Sequence, residues 1–476
     1  MTFTTDWWLK NLTKKAKKFF LDEHGCAKNQ VDGEIIISNL ILAGYERTER
    51  AEDADFIVIN SCGFIESAKK ESLDALVGAR KIFPKKKIIF AGCLAQRYSE
   101  IFKTELPEAD GIFGNGNLNL IADVAKKVLQ GKRTVLAPEQ AGVNCAERLV
   151  NLSFENSVYV KITEGCSNHC AFCAIPLIRG ELRSLPSKDV LAEIKSLLRR
   201  GVFEINLVGQ DLAAYGTEKT FVRGKEKTRS PLYSLLEKIS ALKGNFWVRL
   251  LYIHPDHFPL DILELLKKDS RLLAYFDIPF QSGDDEIIRA MNRKSTQKNY
   301  VELVHKIRDA LPNAAIRTTF LTGFPGENED AFANTLDFLK KIRADWAGAF
   351  CYSKEDGTPA AKMKNPVPKK IAAARQKILL SAQEKIAAEN LARRIKNEKG
   401  ENLEYEVLIE EVFSEEKGES FAIGRAWFQA PDVDGNFVVR FDGEDEAARA
   451  LVKPGRVVRA KALGVRGVDI DSVLIP

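Results

Sequence analysis

Short apolar runs recur along the first quarter of the chain, each closed by a small or polar step and followed by an interval of helical spacing. Residues 19–21, 55–60 and 87–91 read as strands. Their unbroken apolar character, without in–out alternation, suits a sheet covered on both faces. Intervals 31–43 and 65–81 read as helices. Strand–helix repeats of this length predict an α/β domain with a doubly wound parallel sheet. A second series follows at 158–162, 203–208, 247–251, 275–278, 316–321 and 346–350, each run leading into a polar or glycine-rich loop. Six such strands with helical intervals predict a partial (β/α)6 barrel, whose active site belongs at the C-terminal strand ends. Residues 371–399 read as a long charged helix. The remainder is rich in β-branched residues and in turns such as Asp434-Gly435, which predicts a small antiparallel β-barrel. The expected division is an N-terminal extension at 1–17, a sheet domain at 18–135, the partial barrel at 152–398 and the small barrel at 399–476.

Composition narrows the class. A chain of 476 residues is too long for one ordinary core. Its 45% hydrophobic and 29% charged content is that of a soluble globular protein, and its longest apolar runs are too short to span a bilayer. The first eighteen residues hold Trp7, Trp8, Lys14, Lys15, Lys17 and Lys18 but no long apolar core, so a secretory signal is not expected. Eight cysteines in a chain of this length are not a disulfide scaffold. With cysteines in cluster-like positions, a reducing, cytoplasmic setting is expected. Charge is uneven: residues 401–476 carry 9 basic and 16 acidic side chains, a balance of −7, while residues 1–400 carry 62 and 50, or +12.

The cysteines carry the chemistry. Cys166, Cys170 and Cys173 form a CxxxCxxC run. Three thiolates at this spacing can wrap a cubane iron–sulfur cluster and leave its fourth iron open, whereas a closed cluster needs four ligands. The alternative is a zinc knuckle. It lacks a second CxxC pair, and only His169, inside the loop, offers a fourth ligand. Cys26, Cys62 and Cys93 each follow the C-terminal end of a predicted strand. In a parallel sheet those ends share one edge, so the three can converge on a second metal site although each alone reads as a buried small hydrophobe. Cys145 and Cys351 have no such setting and read as structural, as do His254 and His257.

These motifs, with Gly25-Cys26-Ala27-Lys28-Asn29, Ser61-Cys62-Gly63-Phe64, Gly92-Cys93-Leu94-Ala95-Gln96-Arg97 and the run from Lys161 to Ser184, resemble the radical-SAM methylthiotransferases from about residue 19 to the C-terminus. The C-terminal segment, with Gly424-Arg425 and the run from Ala430 to Gly435, resembles a TRAM domain. The resemblance implies two 4Fe-4S clusters, one on Cys166, Cys170 and Cys173 whose open iron takes S-adenosylmethionine, and an auxiliary one on Cys26, Cys62 and Cys93. It further implies S-adenosylmethionine contacts from Phe172, Ile175, Gln210, Gln281, Gly323 and Glu327, with core packing as the plain alternative for Phe172 and an ordinary turn for Gly323–Glu327. Arg179 and Arg183 are placed to neutralise cluster or substrate charge, or else lie on solvated surface. Subgroup features, Lys28-Asn29-Gln30-Val31-Asp32 and 430–435, are similar to the members that add a methylthio group to the β-carbon of an aspartate in ribosomal protein S-twelve. An electron donor is an implied partner. An acidic C-terminal barrel suits that basic protein better than RNA; a tRNA (adenosine) methylthiotransferase is the alternative, and a non-catalytic iron–sulfur or zinc RNA-binding protein a further one. Two positions depart from the family: Asp22-Glu23-His24 replaces an uncharged step, and Gly33 stands where serine is usual.

Overall fold

The structure is a computed structural model, and it describes residues 16–144, 148–154, 156–218, 229–413 and 419–475. The greater part of the expected N-terminal extension, and Cys145, lie outside the described residues. The chain divides into two compact units, one running to Leu152 together with Leu177–Arg179, the other formed by Ser153–Pro176 and everything from Gly180. The partial barrel and the C-terminal barrel thus belong to one unit.

The first unit is built on six parallel strands: β1 (Lys18–Glu23), β2 (Glu46–Arg47), β3 (Phe56–Ser61), β4 (Lys87–Gly92), β5 (Gly111–Gly114) and β6 (Thr134–Leu136), in the order β2-β1-β3-β4-β5-β6. Every residue of β3 is buried, as a strand covered on both faces requires. Strands β2, β5 and β6 escape the pattern because they are only two to four residues long. The three cysteine-bearing strands, β1, β3 and β4, are immediate neighbours, in register through Glu23 with Asn60 and Asn60 with Ala91.

In the second unit β7 (Ser157–Lys161) is followed by a two-residue clasp, β8 (Thr163–Glu164) against β9 (Arg183–Ser184), and then by β10 (Glu204–Val208), β11 (Trp247–Leu250), β12 (Leu272–Asp277), β13 (Ala315–Thr322) and β14 (Trp346–Cys351). The long strands lie parallel in the order β7-β10-β11-β12-β13-β14, the expected open barrel. The charged helix spans Lys369–Arg394, about 39 Å at 1.5 Å per residue. Strands β15 (Glu404–Phe413), β16 (Glu419–Arg425), β17 (Phe437–Asp442), β18 (Val457–Arg466) and β19 (Asp469–Ile475) close a barrel in the order β15-β16-β17-β19-β18. It is antiparallel throughout except for the parallel pair β17 and β19. Among the described residues no helix is long and apolar enough to cross a membrane.

The end of β16 and its connection to β17 are together tied to all six strands of the open barrel. Tyr159 of β7 donates to Asp432 at 3.0 Å, and Tyr275 of β12 to Asp434 at 2.7 Å. Arg317 of β13 pairs with Asp434 at 2.5 Å, and Trp346 of β14 donates to the Phe428 carbonyl at 2.9 Å. Arg249 of β11 donates to the Trp427 carbonyl at 2.7 Å. Glu204, first residue of β10, accepts from Arg249 at 2.8 Å and from Arg425 at 2.6 Å with all three side chains buried. Glu410 closes the set on the other side of Arg425, at 2.6 Å.

A buried carboxylate loses hydration, but two guanidinium groups hold Glu204 far below the usual carboxylate range. A depressed folded value places its stabilising contribution above the unfolded value of about 4.3, and that contribution is lost as pH falls. Glu204→Gln leaves two buried guanidinium groups short of their counter-charge. It should cost about 3–5 kcal/mol of stability, the range for breaking a buried pair from one side, read from the urea midpoint at pH 7. The gap between wild type and Glu204→Gln should narrow as pH is lowered from 5 to 3; a gap that stays constant would contradict the assignment.

Candidate metal centres

Both cysteine triads sit at C-terminal edges of parallel sheets, and each is held by a polar frame. In the first unit, Cys26 precedes helix Ala27–Leu42, Cys62 follows β3 and Cys93 opens helix Cys93–Arg97 directly after β4. Gly92 makes the last turn possible: its φ is +94°, and a Cβ there would lie 2.5 Å from Asn60 Oδ1 and 2.7 Å from the Ser61 carbonyl. Asn29, fully buried, ties the edges together. Its Nδ2 donates to the carbonyls of His24 at 2.6 Å, Asn60 at 3.3 Å and Ser61 at 3.4 Å, and its Oδ1 lies 3.5 Å from Cys93 Sγ. Asn115 Nδ2 donates to the same sulfur at 3.4 Å and Arg179 Nη2 at 3.1 Å, while Arg179 also pairs with buried Asp32 at 2.8 Å. Arg179 thus lies against a cysteine sulfur. Arg183 donates instead to the Glu181 carbonyl.

The three thiols feel one another's charge. Burial pushes Cys62 up to about 12, helped by Cys93 and Cys26, and pushes Cys93 up to about 11 against the pull of Arg179. Cys26 is exposed on one side. The protein crowded around it raises its thiol, but Lys28 and Arg179 outweigh that and leave it below the ordinary value.

In the second unit the CxxxCxxC loop leaves β8 at Gly165, whose φ is +72° and where a Cβ would stand 2.1 Å from the Glu181 carbonyl. A buried Lys161–Glu164 pair at 2.6 Å braces its start, and the Cys166 amide donates to the Gly180 carbonyl at 3.1 Å. Ala171 is stitched on both sides, to the Met291 carbonyl at 2.9 Å and from the Ala360 amide at 2.8 Å. Burial pushes Cys166 and Cys173 each up to about 12. Ligation to a metal therefore releases protons. His169, the fourth zinc ligand on paper, is more than half exposed and turns to Glu181 at 3.4 Å. Among the described residues no group of His, Cys, Asp and Glu is gathered closely enough to hold a single metal ion.

The other site residues expected from sequence fall around this mouth of the open barrel. Phe172 packs against the buried cluster that includes Ala171, Met291 and Phe324. The Ile175 amide donates to Cys173 Sγ at 3.5 Å. Gln210, after β10, has both amide atoms buried with no hydrogen-bond partner. Gln281 adopts a left-handed φ of +72°, a strained backbone for a residue with a Cβ. Gly323 has φ +78°, and a Cβ there would meet Ala372 Cβ at 2.4 Å. Glu327 turns back on its own loop, accepting from the Gly323 amide at 2.9 Å and from Arg375 at 2.7 Å. Cys351 lies against Gln376 and Thr322.

Sequence reasoning passed over Asn29, Asn115, Asn168 and His254 as frame residues; only their position just after a strand or cysteine marks them. The two family departures explain each other. A Cβ at Gly33 would stand 2.1 Å from Glu23 Oε2, and the Glu23 carboxylate accepts from Asn60 Nδ2 at 2.9 and 3.1 Å and from Asn29 Nδ2 at 3.3 Å. Glu23 occupies the volume that a side chain at position 33 would fill.

Residues 160–339 match the Radical SAM superfamily, residues 18–114 the Uncharacterized protein family UPF0004, and residues 403–475 the TRAM domain. The ribosomal protein uS12 methylthiotransferase RimO of Treponema denticola is 47% identical over 96% of this chain and 100% of its own length. That of Carboxydothermus hydrogenoformans is 36% identical over 93% and 95%. The chain belongs to the RimO family of radical-SAM methylthiotransferases. Among solved structures, the radical S-adenosylmethionine methyltransferase TsrM from Kitasatospora setae superposes with a TM-score of 0.53 at 12% identity, over 78% of this chain and 89% of that one, a likeness of fold.

Gly→Ala inside a helix ordinarily stabilises by about 1 kcal/mol. Gly33→Ala should instead destabilise this chain by about 1–3 kcal/mol through overpacking against Glu23. In a Glu23→Ala background the same change should be neutral or stabilising, a coupling that a double-mutant cycle in urea measures directly.

Proposed function

We propose that Cys166, Cys170 and Cys173 hold one 4Fe-4S cluster whose open iron takes S-adenosylmethionine, that Cys26, Cys62 and Cys93 hold a second, and that the substrate is an aspartate of ribosomal protein uS12. The observation that carries this reading is the pair of cysteine triads, each at a sheet edge and each three-membered, in a chain of the RimO family. The donor sets suit the groups: three thiols leave one iron open. The orphaned Gln210 amide beside the CxxxCxxC mouth offers a donor and an acceptor for the polar groups of S-adenosylmethionine.

When bound, these cofactors supply an adenosyl radical able to break an unactivated C–H bond, and the sulfur and methyl group to be transferred. The chain's residues do the remainder. The Lys161–Glu164 brace and the β8–β9 clasp fix where the loop presents its sulfurs. Phe172, with Met291 and Phe324, forms an apolar wall that excludes water from the mouth. Arg179 and Asn115 hold the Cys93 thiolate by charge and hydrogen bonding.

The choice of a protein substrate over tRNA rests on family membership and on the −7 balance of residues 401–476. Glu410, Asp432 and Asp434 face arginine or tyrosine side chains inside the unit, and Glu404 and Asp471 pair with arginines of the barrel itself, so what favours a basic partner is the net balance of the segment and not a free acidic face. Anaerobically reconstituted protein given S-adenosylmethionine, a reductant and either a uS12 loop peptide or unmodified tRNA should add a methylthio group to the peptide aspartate alone, read by mass spectrometry. Modified tRNA with an untouched peptide would reverse the substrate assignment.

A further inference from the structure

A buried polar group beside the CxxxCxxC loop, outside the cysteine set itself, reaches two of the three loop sulfurs. Its centre is Asp211, 1% exposed. Asp211 Oδ1 accepts from the amides of Ala213 at 2.9 Å and His254 at 3.1 Å. Its Oδ2 lies 2.6 Å from His257 Nε2 and accepts from Asn168 Nδ2 at 2.8 Å. The same Asn168 nitrogen stands 3.3 Å from Cys166 Sγ. One carboxylate therefore aims an amide donor at one sulfur and anchors the backbone of the residue that faces another.

That residue is His254, whose Nε2 lies 3.7 Å from Cys170 Sγ. Its tautomer follows from its other nitrogen. The Asp256 amide donates to His254 Nδ1 at 3.3 Å, so Nδ1 is the acceptor. In a neutral ring the proton is then on Nε2, the nitrogen that faces the sulfur. The ring cannot readily tilt away: His257 stacks on it at 5.0 Å with planes 10° apart, and His257 is itself held by Asp211.

Hydrogen bonds to cluster sulfurs favour the more electron-rich, reduced state and are one of the protein's levers on potential. We propose that Asp211, Asn168 and His254 form a built donor frame that directs N–H groups at Cys166 and Cys170 and raises the reduction potential of the cluster those cysteines hold. His254 and Asn168 are positioning and tuning residues, not ligands. This rests on the reading that the CxxxCxxC loop carries a cluster.

The test is a spectroscopic redox titration of the full-length chain with Cys26, Cys62 and Cys93 changed to Ala, so that only the CxxxCxxC cluster titrates, with iron content measured alongside. His254→Phe keeps a ring and removes the donor; His254→Gln restores an N–H near the Nε2 position; Asn168→Ala removes the donor to Cys166. His254→Phe and Asn168→Ala should each keep their iron and lower the reduced-to-oxidised ratio at a fixed potential about tenfold, equivalent to about 59 mV for a one-electron couple. His254→Gln should recover most of the shift. Iron retained with unchanged potentials in both donor-removing variants overturns the proposal. Iron lost from a folded His254→Phe protein, judged by circular dichroism, also overturns it, by making His254 a ligand. If His254→Phe does not fold, Asn168→Ala decides alone. Iron absent from the parent itself refutes the cluster reading on which the proposal stands.

Discussion

Glu204 is the position on which the second unit depends. It is the first residue of a barrel strand, it is fully buried, and it carries a charge that Arg249 and Arg425, with a hydrogen bond from Ser157, make tolerable there. Arg249 comes from the neighbouring strand of the open barrel, Arg425 from the end of β16. The carboxylate therefore joins the open barrel to the closed one at a point where neither could bury its own charge alone. Apolar packing would join them too, and buried ion pairs often gain little over it. What the ionic arrangement adds is direction: the two forks of Arg425 meet Glu204 and Glu410 in one geometry, and the aromatic and arginine side chains of the other strands converge on the same connection.

The opposite end of the open barrel follows a contrary logic. There the loops leave the C-terminal ends of the strands, and polar atoms remain unmatched. Gln210 is one, and the Tyr352 hydroxyl, after β14, is another. Unmatched buried groups destabilise a folded chain by about 1–3 kcal/mol each, and Gln210 stands out because it leaves both atoms of one amide unmatched just after β10, whereas Asn206, Ser420 and Gln429 each leave one. The left-handed backbone at Gln281 belongs to the same end. Glu204 and its arginines lie at the N-terminal mouth, the end whose residues ordinarily serve stability in parallel barrels, and the loops at the C-terminal end are where such folds carry function.

Much of this was legible in the chain. The six barrel strands and the three cysteine-bearing strands were visible because a buried parallel strand is an unbroken apolar run, and the cysteine triads because each follows such a run. The short strands β2, β5 and β6 were not, since two to four residues carry no period. The run from Ala430 to Gly435 was visible as a motif but not as a connector: Asp434 reads as a turn residue, and neither it nor Asp432 shows its role until Tyr159, Tyr275 and Arg317 are seen to face them. The frame residues were hidden for a different reason. Asn29, Asn115, Asn168 and His254 act through single hydrogen bonds across loops, and a single asparagine or histidine has no sequence pattern to betray it.

Glu23 and Gly33 show how such a frame can change without losing its purpose. Read singly, a charged residue at the end of β1 and a glycine inside a helix are both unfavourable, one for burial and one for helix propensity. Together they place a carboxylate where it receives Asn60 and Asn29, the two side chains that bind the cysteine-bearing edges to each other. Burial raises the Glu23 carboxyl well above its usual range, while the Asn60 amide pulls the other way. The glycine's conformational cost is local. The volume it leaves is what allows the sheet edge to be tied by a carboxylate, so the pair must be judged as one substitution with two positions.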